Sequence, residues 1–282
     1  MKILIVGGTS SVAMALKQSF PPDWEVITAG RKNCDQHFDL KDSVDQMKLP
    51  EDLDTIIHSA AHFGGTSDSD ILEAEDVNVM GTLKLCQAAL RANVKHFVLI
   101  SSIFANIKTP TEKLGIYAIS KRHADELASF YCSSNSLPFT ILRPSQIYGV
   151  QNSLSRHQPF FYHLIQKAEK GENVLIYGSR DPLRNYIFID DLTTIITKVV
   201  KMKVEGTYSC AQPKDVSYVQ IANSAFSAFG QGGKVEFLKD KPDIPDNIFD
   251  KEETLYKLLG YYPETSIEEG ILKIAQSKGF GT

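Results

Sequence analysis

The chain has 282 residues, enough for two domains at about 150 residues each, and its 43 % hydrophobic and 23 % charged content excludes a disordered, collagen-like or coiled-coil chain. Its 30 basic against 34 acidic side chains leave a formal charge of −4, so no global positive field is present to hold nucleic acid or an anionic membrane. The four cysteines form no C-x-x-C pair, and no apolar run reaches the roughly 18 residues of a membrane span, so a soluble cytoplasmic protein without metal or disulfide framework is expected.

Ile3 to Val6, Glu25 to Thr28, Thr55 to His58, Phe97 to Ser101 and Phe139 to Leu142 are short runs, mostly continuous and rich in Val and Ile. Such runs predict strands buried on both faces. Between them Val12, Leu16 and Phe20 recur at helical spacing, as do Val79, Leu83, Cys86 and Leu90, and then Ala124, Leu127, Ala128 and Tyr131. The alternation predicts an α/β fold with a doubly wound parallel sheet of the Rossmann kind. From about Pro144 the pattern is interrupted by Gly149, Pro159, Gly171, Gly178 and Pro182, where a smaller C-terminal substrate lobe is expected to begin. Tyr186 to Ile189 and Gly206 to Ala211 read as a return to the sheet, and Ser217 to Phe229 as a helix stopped by Gly230. The expected division is 1–145 plus 185–211 for the dinucleotide-binding domain and 146–184 plus 212–282 for the lobe.

The first strand runs into a turn of small residues, Gly7, Gly8, Thr9, Ser10 and Ser11, before a helix that opens at Val12. A helix N-terminus presents unpaired N–H groups to a pyrophosphate, and small residues let the backbone approach it. A Gly-Gly turn before a helix is common, but this one ends the first strand of an alternating α/β chain. After the second strand, where NAD-binding proteins carry an acid for the ribose, stand Arg31 and Lys32. Two cations there either form a solvated turn or hold the 2′-phosphate of NADP. Asp39, followed by Leu40, is a candidate for the adenine end.

Ser101 and Ser102 close the strand Phe97 to Ile100, at the sheet edge where open α/β folds build their sites. Tyr117 and Lys121 follow at i and i+4 on one helix. An ammonium beside a phenol favours the phenolate, so the tyrosine can exchange a proton with a carbinol oxygen that a serine hydroxyl holds. Alone, Y-x-x-x-K is usually a surface pair; the serine and the dinucleotide turn upstream give it a catalytic reading.

This set resembles the extended short-chain dehydrogenase/reductases, the NAD(P)-dependent nucleotide-sugar epimerase/dehydratase family. The likeness is carried by the turn at Gly7, Ser10 and Ala13, by "DL" at Asp39, "HSAA" from His58, "NVMGT" from Asn78, "ISS" ending at Ser102 and "YAISK" from Tyr117. It continues through "LRPSQIYG" from Leu142, "RNYIFIDD" from Arg184 and "LLGYYPETSIEEGI" near the end. The resemblance implies that Tyr117 is the general acid or base, that Lys121 holds the nicotinamide ribose and lowers the phenol pKa, and that Ser102 orients the substrate oxygen. It adds Ser59, Ala60, Ala61, Asn78, Ser101, Arg143 and Pro144 to the cofactor contacts. Ser10 departs from the pattern by putting a side chain where the backbone approaches the pyrophosphate, and the loop between Ser102 and Tyr117 is shorter than the family's.

Dehydratases of this family carry Asp-Glu directly after the catalytic Ser or Thr; Ile103 and Phe104 stand there instead, which argues against dehydration. The "GG" after "AA", Gly64 and Gly65, is similar to GDP-4-keto-6-deoxymannose epimerase/reductases, whose epimerising Cys corresponds to Ile103 and whose His falls near His157. His157 is then either that acid or a loop histidine. The expectation is NADP(H)-dependent reduction of a nucleotide-linked keto sugar, with NAD-dependent 4-epimerisation as the alternative and a non-catalytic dinucleotide sensor as the more distant one. Arg184 is implied as a cation for the nucleotide diphosphate, and Lys241 either joins it or is a solvated loop charge. The family also implies a homodimer formed through the helices Leu72 to Ala92 and Tyr117 to Ser133.

Overall fold

The computed structural model describes residues 1–106, 115–249 and 251–280. In chain order its first half comprises β1 (Lys2–Val6), α1 (Ser11–Ser19), β2 (Glu25–Gly30), β3 (Gln36–His37), β4 (Thr55–His58), α2 (Asp68–Ala74), α3 (Gly81–Arg91), β5 (His96–Ile100), α4 (Ile116–Ser134) and β6 (Phe139–Pro144). There follow β7 (Gln146–Tyr148), α5 (Pro159–Glu169), β8 (Val174–Tyr177), β9 (Leu183–Arg184), β10 (Tyr186–Phe188), α6 (Ile189–Met202), β11 (Gly206–Cys210), β12 (Val216–Ser217), α7 (Tyr218–Phe229), β13 (Val235–Leu238), α8 (Thr254–Leu259) and α9 (Ile267–Ser277). The chain divides into two compact units, the first of residues 1–144, 193–210 and 254–259, the second of 145–192, 211–253 and 260–282.

The first unit holds a seven-stranded sheet in the order β11-β6-β5-β4-β1-β2-β3, with every pairing parallel. β4 and β5 are buried along their whole length, because a parallel sheet is covered on both faces and its strands carry apolar side chains up and down alike. The chain leaves β1 for β2 on one side and β4 lies on the other, so the strand order reverses between β1 and β4. That switch point, at the carboxyl ends of the strands, is where open α/β sheets form their crevice.

The stretch from α2 to α3 is one helical run interrupted by a π-helical segment, Glu75–Met80. A π-turn inserted into an α-helix is rare and found mostly at functional positions. Gly81, directly after it, lets the helix lie on Leu40: a Cβ there would stand 2.8 Å from the Leu40 Cβ.

The second unit contains three short strand pairs, β7 with β10, β8 with β13, and β9 with β12. An aromatic cluster fills its core, where the Tyr148 ring meets Phe161, Tyr186 and Phe188 edge-on at 5.1, 6.0 and 5.2 Å. The Tyr186 segment therefore pairs with β7 and does not rejoin the large sheet, which corrects the expected return at 186–189. Its three residues are all buried, a pattern that a two-stranded pair inside an aromatic core produces as readily as a large sheet. α7 ends as read, with Gly230 left-handed at φ +63. Among the described residues no helix is long and apolar enough to cross a membrane, and no group of three or more His, Cys, Asp or Glu is placed to hold a metal. All four cysteines are free thiols.

Candidate active site

At the carboxyl end of β1, Gly7 adopts φ +90 and lies so close to the β4 end that a Cβ would stand 2.5 Å from the Ala60 nitrogen. Glycine is required there on both counts. Ser59 and Ala60 close the gap, their N–H groups donating to Val6 O at 2.8 and 3.1 Å. Ser10 does not project outward from the turn. Its hydroxyl accepts from Ala13 N at 3.1 Å as the N-cap of α1 and bonds to Ser59 Oγ at 2.9 Å. Thr9 is exposed, whereas Ser11 and Val12 are buried at the first turn of α1.

Arg31 and Lys32 are exposed after β2. The nearby carboxylate of Asp35 is turned back onto the sheet, where its Oδ2 accepts from Thr28 N at 2.9 Å, Thr28 Oγ1 at 2.7 Å and Lys17 Nζ at 3.2 Å. Those hydrogen bonds, led by the Thr28 amide, hold its carboxyl down at about 2. Cys34 packs its sulfur on this turn, 2.9 Å from where a Gly30 Cβ would be. Asp39 caps its own loop, Oδ1 accepting from Lys41 N at 3.0 Å, and Leu40 is buried in the core.

Asn78 sits in the π-segment, 2 % exposed, and acts as a clamp. Its Oδ1 accepts from His62 N at 2.7 Å, while its Nδ2 donates to His62 O at 2.8 Å and to Ser120 Oγ at 2.9 Å. The chain after β4 is thereby tied to α4, one residue before Lys121. Behind it, Thr82 Oγ1 donates to Asn78 O at 2.6 Å and meets His58 Nε2 at 2.9 Å. Burial, aided by the Lys121 charge, drives the His58 imidazole down to about 3, so it is neutral.

Ser101 and Ser102 are both buried at the end of β5, with Ser102 Oγ accepting from Phe104 N at 3.3 Å. Tyr117 and Lys121 stand on α4 with the ammonium 6.0 Å from the phenol ring centroid, and Lys121 Nζ donates to Ile100 O at 3.1 Å. Burial pushes the Tyr117 phenol up to about 12; the adjacent Ser102 hydroxyl pulls it back and the Asp125 carboxylate adds to the rise. The direction is set by burial of the phenol and not by the ammonium one turn away. Burial likewise brings the Lys121 amine down to about 8, against the pull of Asp125. The phenol therefore holds its proton at neutral pH. Phe63 lies flat on Tyr117, ring centroids 5.1 Å apart and planes 10° from parallel.

Ile103 is 2 % exposed in a 3₁₀ turn, Ile103–Asn106. The shortened loop after Ser102 falls on residues 107–114, outside the described residues. Arg143 donates from Nε to Asp125 Oδ2 at 2.7 Å, and Pro144 is buried beside it. In the second unit Arg184 is 7 % exposed and turned inward, donating to Tyr218 OH at 2.8 Å, Leu183 O at 2.7 Å and Pro245 O at 2.8 Å, with its guanidinium 4.7 Å from the Tyr218 ring. Nothing in its motif signals that internal role. Lys241 is a half-exposed loop residue 3.7 Å from Asp240, and His157 is exposed. Sequence reasoning missed Phe63, Asp125 and Cys34. For Asp125 a signal existed: it falls at i+8 from Tyr117, on the same helix face.

The NAD dependent epimerase/dehydratase family profile matches residues 3–211. The chain is similar to the low-salt glycan biosynthesis protein Agl12 of Haloferax volcanii, 28 % identical over 83 % of this chain and 78 % of that protein. In fold it matches the UDP-N-acetylglucosamine 4-epimerase of Bacillus cereus at a TM-score of 0.81, 20 % identical over 98 % of each chain. It also matches RMD of Pseudomonas aeruginosa complexed with NADPH, at 0.76 and 16 % identity over 98 % of each chain.

Proposed function

The chain belongs to the NAD dependent epimerase/dehydratase family, and from that premise we propose that it reduces a nucleotide-linked keto sugar with NADPH. The observation that carries this reading is the partly buried Tyr117 phenol, protonated at neutral pH, beside Ser102 and one turn from Lys121. A reduction needs a proton donor at the start of the cycle, and a phenol near 12 is one.

The residues fit a dinucleotide: Gly7 lets the β1 end approach the β4 end so closely that no side chain fits between them, and α1 begins directly beyond the turn. When bound, the nicotinamide supplies the hydride. Ser102 hydrogen-bonds the ketone oxygen, and Tyr117 donates its proton to that oxygen as it becomes an alkoxide. Lys121 stabilises the phenolate left behind and orients the nicotinamide ribose. Gly8, Thr9, Ser11 and Val12 are assigned to the pyrophosphate, Asp39 and Leu40 to the adenine end. The 2′-phosphate is assigned to Arg31 and Lys32, a reading supported by Asp35, whose Oδ2 is engaged by Thr28 and Lys17. Lys241 is assigned to the nucleotide diphosphate, whereas Arg184, expected in the same role, is engaged by Tyr218 and two carbonyls. A homodimer is supported by exposed apolar side chains on the α2–α4 region, Leu72 at 67 % and Phe130 at 71 % foremost.

The test is NADPH oxidation with a panel of nucleotide 4-keto sugars, together with cofactor analysis of the denatured protein. Turnover with NADPH in preference to NADH, lost on replacing Arg31 and Lys32 by Ala, is the expected result. Stoichiometric NAD released from the purified protein would replace this reading with 4-epimerisation.

A further inference from the structure

Asp125 lies one turn beyond Lys121 and two beyond Tyr117 on α4, and it is 2 % exposed. Its Oδ2 accepts from Arg143 Nε on β6 at 2.7 Å. Its Oδ1 is buried, and the buried Ser101 hydroxyl beside it favours the carboxylate form. A buried carboxylate is costly, and a well-packed apolar pair commonly serves stability as well or better. The place of Asp125 four residues beyond Lys121 on the same helix, with both side chains buried, points to a use for its charge.

The groups around the Lys121 amine define that use. Tyr117 and Asp125 face it from α4, neutral His58 from β4, and the Ile100 carbonyl from β5, while Arg143 stands behind Asp125 on β6. Asp125 is the carboxylate of this set; burial raises its carboxyl above the usual range, while Ser101, Arg143 and Lys121 favour the anion. We infer that Asp125, held in place by Arg143, is a positioning residue that keeps Lys121 charged and docked on Ile100 O while fastening α4 to β6. The inference rests on the roles proposed above for Tyr117 and Lys121. It also gives Arg143, expected to touch the cofactor, an internal task.

The test follows the Lys121 side chain directly, by NMR of protein carrying 13Cε-labelled lysine, with its resonance assigned by its loss in Lys121→Arg. The titration midpoint is expected near 8 in the parent protein. Asp125→Asn should lower it by about one pH unit or more, and Asp125→Glu should restore most of the difference. Should Asp125→Asn fail to fold, the paired replacement Asp125→Leu with Arg143→Met leaves no unpaired buried charge and should lower the midpoint likewise. An unmoved midpoint in either folded protein overturns the inference, as does a failure of Asp125→Glu to recover it. If the midpoint moves as expected while no keto sugar is turned over, the proposed reaction falls and this inference stands; turnover with an unmoved midpoint has the opposite meaning.

Discussion

Replacing Asn78 by Ala removes three hydrogen bonds at once, one buried and two partly buried, to Ser120 Oγ, His62 N and His62 O at 2.9, 2.7 and 2.8 Å. At about 1 kcal/mol each, the net loss is about 3 kcal/mol. For a chain of this size that corresponds to a melting temperature lowered by roughly 6–12 °C. The damage has a second, local consequence. The released segment includes Phe63, whose ring lies on Tyr117, and Gly64, whose φ of +79 fits it closely against Ile116. Thermal unfolding followed by circular dichroism reads the first effect, and dinucleotide affinity by calorimetry together with the Tyr117-dependent rate reads the second. Asn78→Asp retains the acceptor for His62 N but loses both donated bonds, so it should fall between Ala and the parent. A change below about 1 kcal/mol for Asn78→Ala, with an unchanged rate, would refute the idea that this side chain joins the β4 end to α4.

Tyr117→Phe should lower turnover by about 10²–10⁴-fold while NADPH binding persists, measured as nucleotide fluorescence titration beside the oxidation assay; comparable turnover in the variant removes the tyrosine from the proton step. His58 and His96 are held neutral by burial, down to about 3 and about 4. Because these folded values lie below the unfolded value near 6.5, stability is complete above pH 6.5 and declines as the pH falls below it. The decline should be on the order of 2 kcal/mol per histidine by pH 5, in a window above the one where Asp35 titrates, and a melting temperature flat from pH 7 to 5 contradicts it. Leu72→Glu combined with Phe130→Glu should convert the expected dimer to monomers in sedimentation equilibrium without lowering the monomer's helix content; a dimer that survives both changes assembles through another surface.

Much of the first unit was legible because its signals are local. Continuous apolar runs require strands covered on both faces, helical stripes between them require crossovers, and a parallel sheet with its site at the carboxyl edge follows from the two together. Gly7, Ser102, Tyr117 and Lys121 stand out as candidates for the same reason: a turn, a strand end and an i,i+4 pair are features of neighbouring residues. Tyr186–Phe188 was not, since three buried residues fit a small strand pair as well as a large sheet.

What the tertiary structure decided concerns partners far apart in the chain. It turned Ser10 back to cap α1, committed Arg184 to Tyr218 and two carbonyls, and placed Asn78 across the 42 residues that separate it from Ser120. It also buried the Tyr117 phenol, which raises its pKa. Residue type and spacing specify which groups can exchange a proton, but burial sets whether they hold one, and burial is a property of the packed chain.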